Sequence, residues 1–204
     1  MRASYWTSLV CALAIVSGAQ AKTWGDYIVG GTACNSGNVS VIENGTNLSV
    51  LFDAFGIYMP QADYGEGTSA RKTCNFRIQL TPPTGYYLAG FQQVYSGGLI
   101  KSRRSSARLD IRYNVGSVQG RPLPLVWSEG REIGPEDPNS MFSKTYDNNL
   151  LVASCGGSTV YGINMSFSAL RRSTSEYLVG GLDSVDADFV QKLVLIPSWR
   201  LCGR

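Results

Sequence analysis

The sequence contains no histidine in any of its 204 positions. Ser-His-Asp and Cys-His catalysis use an imidazole as the general base, so this chain alone cannot build either arrangement. Mixed cysteine–histidine zinc sites are excluded for the same reason. A pair of carboxylates could still hydrolyse glycosides, but few routes to catalysis remain without histidine, and the sequence therefore points first to functions without catalysis.

Charge is also scarce. Charged residues make up 16% of the chain, and 18 basic against 15 acidic residues give a formal net charge of +3. A generic nucleic-acid binder needs a much stronger basic stripe, so no nucleic-acid partner is expected.

Long apolar runs are missing as well. The one apolar run near the N-terminus, Ser8–Val16, is too short to span a bilayer, and no transmembrane anchor is expected. It is followed by Ala19-Gln20-Ala21, which matches the small-residue pattern of a signal-peptide cleavage site. The sequence therefore predicts a signal peptide over residues 1–21 and a secreted, extracellular single domain over residues 22–204.

Cysteine usage fits an extracellular location. Cys11 would leave with the signal peptide, and Cys34, Cys74, Cys155 and Cys202 would remain. An even number in an exported chain favours disulfides, whereas the long spacings without a C-x-x-C pair argue against zinc. Four cysteines allow three pairings, and the spacing alone does not choose between them. No metal and no cofactor are expected.

Alternation of apolar and polar residues dominates the chain and predicts β-strands. The clearest run is Leu109–Val115, where Leu, Ile, Tyr and Val alternate with Asp, Arg and Asn. The other predicted strands include Asn47–Phe52, Phe76–Leu80, Tyr161–Phe167 and Phe189–Ile196. Because glycine- and proline-rich turns separate these runs, we predict an all-β fold, an antiparallel β-sandwich of jelly-roll or Ig-like type.

Several short motifs occur in a characteristic order along the chain. They are Gly31–Cys34, Leu51–Phe55, Ser69–Cys74, Pro83–Tyr86, Tyr95–Gly97, Ser154–Gly156 and Ser198–Cys202. The ordered set resembles the secreted family called domain of unknown function 4360, found in fungi, oomycetes and bacteria. The resemblance implies an exported β protein with the pairs Cys34–Cys74 and Cys155–Cys202. It implies no activity and no catalytic residue.

Aromatic residues suggest a binding function. Exposed tyrosine rings can stack on sugars, and we take Tyr64, Tyr86 and Tyr87 as candidate ligand-binding residues. Tyr86 and Tyr87 are adjacent, so they point to opposite faces of a strand and one of them is expected to be exposed. This predicts a non-catalytic binding or structural protein that recognises cell-wall or extracellular polysaccharide.

A basic cluster offers a different surface. Lys101, Arg103, Arg104 and Arg108 lie close together in sequence and could meet an acidic polymer. A solvated hairpin edge explains the same residues, because charge discourages sheet-to-sheet aggregation, and this is the interpretation we favour.

The alternative function is a secreted effector or interaction protein that binds another protein. A carboxylate-based hydrolase ranks below both, because no spacing selects a catalytic pair.

Two further features stay open. The acidic cluster Asp183–Asp188 lacks the spacing of a calcium loop, and we favour an exposed turn there. Four N-x-S/T sequons, at Asn38, Asn44, Asn47 and Asn164, are glycosylation candidates if the source adds N-glycans.

Overall fold

The computed structural model describes residues 23–59, 68–120, 122–148, 155–182 and 192–203. The predicted signal peptide, Tyr64 and the acidic cluster lie outside these residues. The described residues contain thirteen strands and no helix. The strands are β1 (Trp24–Gly30), β2 (Val39–Asn44), β3 (Asn47–Phe52), β4 (Phe55–Met59), β5 (Ser69–Leu80), β6 (Tyr86–Lys101), β7 (Ser106–Val115), β8 (Val118–Gln119), β9 (Leu123–Trp127), β10 (Met141–Asn148), β11 (Thr159–Leu170), β12 (Leu178–Leu182) and β13 (Lys192–Leu201).

The first sheet, sheet A, has the strand order β1-β5-β11-β7, with β8 and β9 both paired to the outer side of β7. All its pairs are antiparallel. Its central strand β11 is paired on both sides almost from end to end, with β5 on one side and β7 on the other. The middle of sheet A is therefore a regular surface with fixed register.

In the second sheet, sheet B, each strand pairs with the next along the path β2-β3-β13-β6-β12-β4. Strand β10 pairs with the side of β6 opposite to β13 and β12. Strand β6 is its longest member. Lys192 of β13 pairs with Ser96 and Gly181 of β12 pairs with Gly98, so β13 and β12 follow each other along the same side of β6.

The two sheets pack face to face on one core. The alternation in β7 is confirmed: Leu109, Ile111, Tyr113 and Val115 are all buried. The inward residues of β3, β5 and β11 are buried in the same way. The ring of Phe91 in sheet B lies 5.2 Å from that of Tyr161 in sheet A. The antiparallel β-sandwich is thus confirmed.

Two disulfides hold the sandwich. Cys34 is bonded to Cys74 and Cys155 to Cys202, with Cα–Cα distances of 5.1 and 5.7 Å. Both pairs are those that the family resemblance implied. The first fixes the segment after β1 to β5, and the second fixes the chain end after β13 to the segment before β11.

One predicted strand is corrected in its extent. The last strand continues beyond Ile196 to Leu201 and includes Pro197, which lies beside a bulge between Ser198 and Trp199 where a strand tolerates proline. The Arg131–Asn139 segment lies outside the named strands, but Ile133 is buried and forms a bridge with Lys101.

Candidate functional site

The outer face of sheet A carries short polar side chains along its central strand. Ile163, Met165 and Phe167 of β11 point into the core and are buried. Because side chains alternate along a strand, the residues between and beside these three lie on the outer face of the sheet. They are Gly162, Asn164, Ser166 and Ser168, of which Gly162 is buried against the side chain of Asn114. All four are small, so they form a low floor.

Longer side chains rise from the two neighbouring strands. On β5, Arg71 pairs with Ser168 and Arg77 pairs with Gly162. On β7, Arg108 pairs with Ser168 and Arg112 pairs with Asn164. All four arginines are exposed. We call this feature the furrow: its floor is Gly162, Asn164, Ser166 and Ser168, and its walls are Arg71, Arg77, Arg108 and Arg112.

The register fixes the size of the furrow. Its floor spans six residue steps, which is about 20 Å along the strand. Its walls are two strand spacings apart, about 10 Å between backbones. The furrow therefore suits an extended chain better than a compact small molecule.

A cavity opens at each end of the furrow on the β7 side. One, of about 510 Å³, is lined by Ser168, Arg108 and Val126 among others. The other, of about 490 Å³, is lined by Asn164, Arg112 and Asn114 among others. Both cavities share floor and wall residues with the furrow, so it widens where a bound chain could place bulkier groups.

Hydrogen bonds order part of the arginine walls. Arg108 donates from Nε and Nη2 to the two carboxylate oxygens of Asp110, at 2.8 and 2.7 Å. This bidentate bond lowers the pKa of Asp110 and keeps it ionised. Arg71 donates from Nε to Ser166 Oγ at 2.8 Å.

The remaining donors are free to meet a ligand. The side chains of Arg77 and Arg112 form no hydrogen bond with another residue in the described part of the chain. Arg71 uses only its Nε, so its terminal nitrogens also remain available. Three of the four wall arginines can therefore donate to a bound group.

The predicted basic cluster does not form one surface patch. Lys101 is only 1% exposed, and its Nζ donates to the carbonyl oxygens of Ser105 and Arg131 at 2.8 and 2.6 Å. Burial lowers its pKa. Assigning Lys101 to an exposed cluster was therefore wrong. It shares the inward side of β6 with Leu99, and alternation from Leu99 would have shown this.

The arginines of that cluster separate in space. Arg103 lies exposed in the turn after β6, and Arg104 is 3.4 Å from the carboxylate of Glu176. Only Arg108 belongs to the furrow. The other three wall arginines were not identified from sequence, although each is an outward residue of an alternating strand.

Two of the candidate tyrosines, Tyr86 and Tyr87, lie on the other sheet. They begin β6 and pair with Leu201 and Arg200 of β13. Both are half-buried, whereas the sequence predicted that one of them is exposed.

The sequons divide between the two sheets. Asn164 is exposed on the floor of the furrow. Asn44 and Asn47 flank the β2–β3 turn at the edge of sheet B. Asn38 is half-buried, and its Oδ1 accepts a hydrogen bond from the backbone of Asn35.

Two of the described carboxylates are engaged by neighbouring side chains. Glu129 is paired with Arg172 at 2.8 Å, and Glu132 accepts a hydrogen bond from Tyr177 at 2.6 Å. Within the described ranges there is no group of three or more Cys, Asp or Glu that could hold a metal ion. The same ranges hold no helix that could cross a bilayer.

Solved structures with some likeness to this chain share little sequence with it. A carbohydrate-binding module, TmCBM61, in complex with β-1,4-galactotriose matches 84% of this chain and 88% of its own, at 10% identity and a TM-score of 0.29. The enzymatically active domain of tailspike protein 4 of Bacteriophage CBA120 matches 86% of this chain and 19% of its own, at 12% identity and a TM-score of 0.22. With TM-scores this low, neither likeness supports a conclusion about function.

Sequence comparison is more informative. An uncharacterized secreted protein of Arthroderma benhamiae is 26% identical over 181 residues, which cover 85% of this chain and 69% of the relative. The model of the family "Domain of unknown function (DUF4360)" matches residues 25–202, nearly the whole chain. The chain therefore belongs to the DUF4360 family.

Proposed function

We propose that this is a secreted, non-catalytic binding protein that holds an extracellular polysaccharide in the furrow of sheet A. The observation that carries the proposal is the combination of a low polar floor with two exposed arginine walls. Extracellular action is supported by two disulfides and by a relative described as secreted.

The chemistry of the furrow suits a sugar chain. Asn164, Ser166 and Ser168 offer amide and hydroxyl groups, which exchange hydrogen bonds with sugar hydroxyls. The wall arginines add donors on both sides. The floor belongs to a strand paired on both sides, so these groups are held in fixed positions before a ligand arrives.

A bulky residue on the floor tests the site. In Ser168→Tyr the ring would stand between Arg71 and Arg108 and obstruct one end of the furrow. Thr145→Tyr is the matched control, because Thr145 is exposed on strand β10 of sheet B. Tyrosine is a good strand former, so both variants should fold.

Retention on immobilised plant and fungal cell-wall polysaccharides is the measurement. We expect Ser168→Tyr to weaken retention by about tenfold, the order expected when a few hydrogen bonds are lost. Thr145→Tyr should behave as the parent protein. Equal retention of both variants would place binding elsewhere, and no retention of the parent on any polymer would reject the proposed function.

A second candidate, binding to another protein, has its own supporting observation. The outer face of sheet B presents half-buried aliphatic residues on neighbouring strands, including Leu51, Val94 and Val194, with Ile42 51% exposed beside them. Apolar exposed surface favours protein contacts. If this candidate is correct, Val194→Lys should abolish a complex recovered by crosslinking in extracellular fluid, whereas Ser168→Tyr should leave that complex intact.

A further inference from the structure

The furrow has a charge as well as a shape. Along its three strands, four arginines face outward with one carboxylate, Asp110, so three positive charges are in excess. The whole chain has a formal net charge of +3. Without Arg2 of the predicted signal peptide the net charge is +2, so the outward residues of the furrow strands carry an excess at least as large as that of the entire secreted chain.

The single carboxylate does not cancel the available donors. Asp110 is held in a bidentate bond by Arg108, so these two residues neutralise each other locally. Arg71, Arg77 and Arg112 keep nitrogens that bond to no described residue. At the rim, Glu129 is likewise paired, with Arg172.

The furrow lacks the groups that usually hold neutral sugars. The outward residues of β5, β11 and β7 are polar, charged or glycine, apart from Val160 and Leu170 near the ends of β11, and none of them is aromatic. Along these three strands, binding must therefore come from hydrogen bonds and charge, and the rings of Trp127 and Tyr113 are met only in the two end cavities.

The guanidinium groups of the wall arginines favour a ligand whose charged group is a carboxylate. Their planar fork matches a carboxylate with two parallel hydrogen bonds, which are stronger than neutral hydrogen bonds. The three available arginines lie at different levels: Arg71 beside Ser168, Arg112 beside Asn164 and Arg77 beside Gly162. A chain that repeats a carboxylate at intervals would meet them in turn.

We infer that the furrow binds an acidic polysaccharide, a chain of uronate sugars whose carboxylates pair with Arg71, Arg77 and Arg112. This inference rests on the proposed function and adds the chemical class of the ligand. Arg108 acts differently, because it is already engaged by Asp110 and orders one wall.

Polygalacturonate and its methyl ester give a matched pair of probes. The two polymers share a backbone, and esterification removes the charge. We expect the protein to bind polygalacturonate at least tenfold more tightly than the ester, as the loss of charge-assisted hydrogen bonds requires. Raising the salt from about 0.05 to 0.5 M should reduce this preference, because exposed charges are screened.

The double variant Arg77→Ala/Arg112→Ala locates the interaction. Its control is Arg103→Ala/Arg200→Ala, which removes the same charge from exposed positions off the furrow. The furrow variant should bind polygalacturonate at least tenfold more weakly, whereas the control should stay within about twofold. Thermal unfolding should show that both variants remain folded.

The other outcomes distinguish failure of the acidic-ligand inference from failure of the proposed function. Equal binding of acid and ester, lost in Ser168→Tyr, would overturn the acidic ligand and leave the proposed function standing. Equal weakening by both double variants would mean that binding follows overall charge, which overturns the inference. A preference for sulfated over carboxylated chains would also overturn the inference. No binding to any polysaccharide would reject the inference together with the proposed function.

Discussion

The two outer faces of this sandwich differ, although both are antiparallel sheets that share one core. Sheet A places arginines, asparagines and serines outward on its central strands. The corresponding centre of sheet B presents Val94, Val194 and Ile196, all half-buried, in line with the polar residues Gln92, Ser96 and Lys192. Since the interior requires only the inward residues of each strand, the outward ones are free to differ, and that is where function can be assigned.

The difference also separates the candidate functions. A polar, positively charged face suits a soluble acidic chain, whereas an aliphatic face suits a protein surface. The sequons follow the same division, with one in the furrow and the others near sheet B. Variants placed in matched pairs on the two faces can therefore test each assignment separately.

The largest effect on polygalacturonate binding is expected from a glycan on Asn164. A sugar attached there would occupy the floor of the furrow, whereas glycans on Asn44 or Asn47 would stand at the edge of sheet B. Protein from a host that adds N-glycans can be passed over immobilised polygalacturonate and mapped by glycopeptide mass spectrometry. Molecules with a glycan on Asn164 should be found in the flow-through. Equal occupancy of Asn164 in bound and unbound fractions would contradict the assignment.

A pair of glycine substitutions separates stability from binding. Gly181 in sheet B has φ +148, and a Cβ there would collide with the carbonyl oxygen of Phe55. Gly181→Ala should cost about 2 kcal/mol of unfolding free energy because the strained backbone and the clash add up. Gly162→Ala meets only the flexible side-chain end of Asn114, at 2.6 Å, so stability should change by less than about 1 kcal/mol.

The two glycine variants should affect polygalacturonate binding in the opposite order to their effects on stability. Gly162→Ala displaces the side chain of Asn114 at one end of the furrow and should weaken polygalacturonate binding about threefold, whereas folded Gly181→Ala should bind as the parent does. Chemical denaturation and a binding titration on each variant provide both numbers. A stable Gly181→Ala, or a Gly162→Ala with unchanged affinity, would remove the distinction between the two faces.

The smallest effect is a gain in binding. Asp110→Asn removes the only carboxylate among the outward residues of the three furrow strands and releases Arg108. We expect affinity for polygalacturonate to rise about two- to threefold, the size of an exposed charge effect. Asp147→Asn on β10 is the control, because Asn keeps an oxygen to accept the hydrogen bond from Gln92. Isothermal titration of both variants is sufficient, and weaker binding by Asp110→Asn would show that the carboxylate orders the site.

Local pattern in the sequence predicted much of the fold. Alternation in Leu109–Val115 and Tyr161–Phe167 identified strands and their inward residues, because a strand half-buried in a core must repeat every second residue. The disulfide pairs followed from the family resemblance. The furrow could not be predicted this way, since it exists only because β11 lies between β5 and β7, and strand order is a non-local property. Arg71 and Arg77 lie on β5 and Arg112 lies on β7, so the two walls face each other only through that order.

Local pattern also explains where the sequence reading was wrong. Lys101 was grouped with its charged neighbours in sequence, but the alternation from Leu99 turns it inward, where backbone carbonyls replace water around its ammonium group. Tyr86 and Tyr87 do occupy opposite sides of β6, yet both are half-buried beside the end of β13. Proximity along the chain was a poorer guide than the strand period.

The most direct test is to map the bound ligand on the protein by NMR. Adding a short oligogalacturonate to the isotope-labelled protein should shift the backbone amides of Asn164 and Ser166 and the side-chain Nε signals of Arg71, Arg77 and Arg112. Signals from Val94, Val194 and Tyr87 on sheet B should not move. Shifts confined to sheet B, or no shift at any residue of the furrow while binding is measurable, would contradict the account.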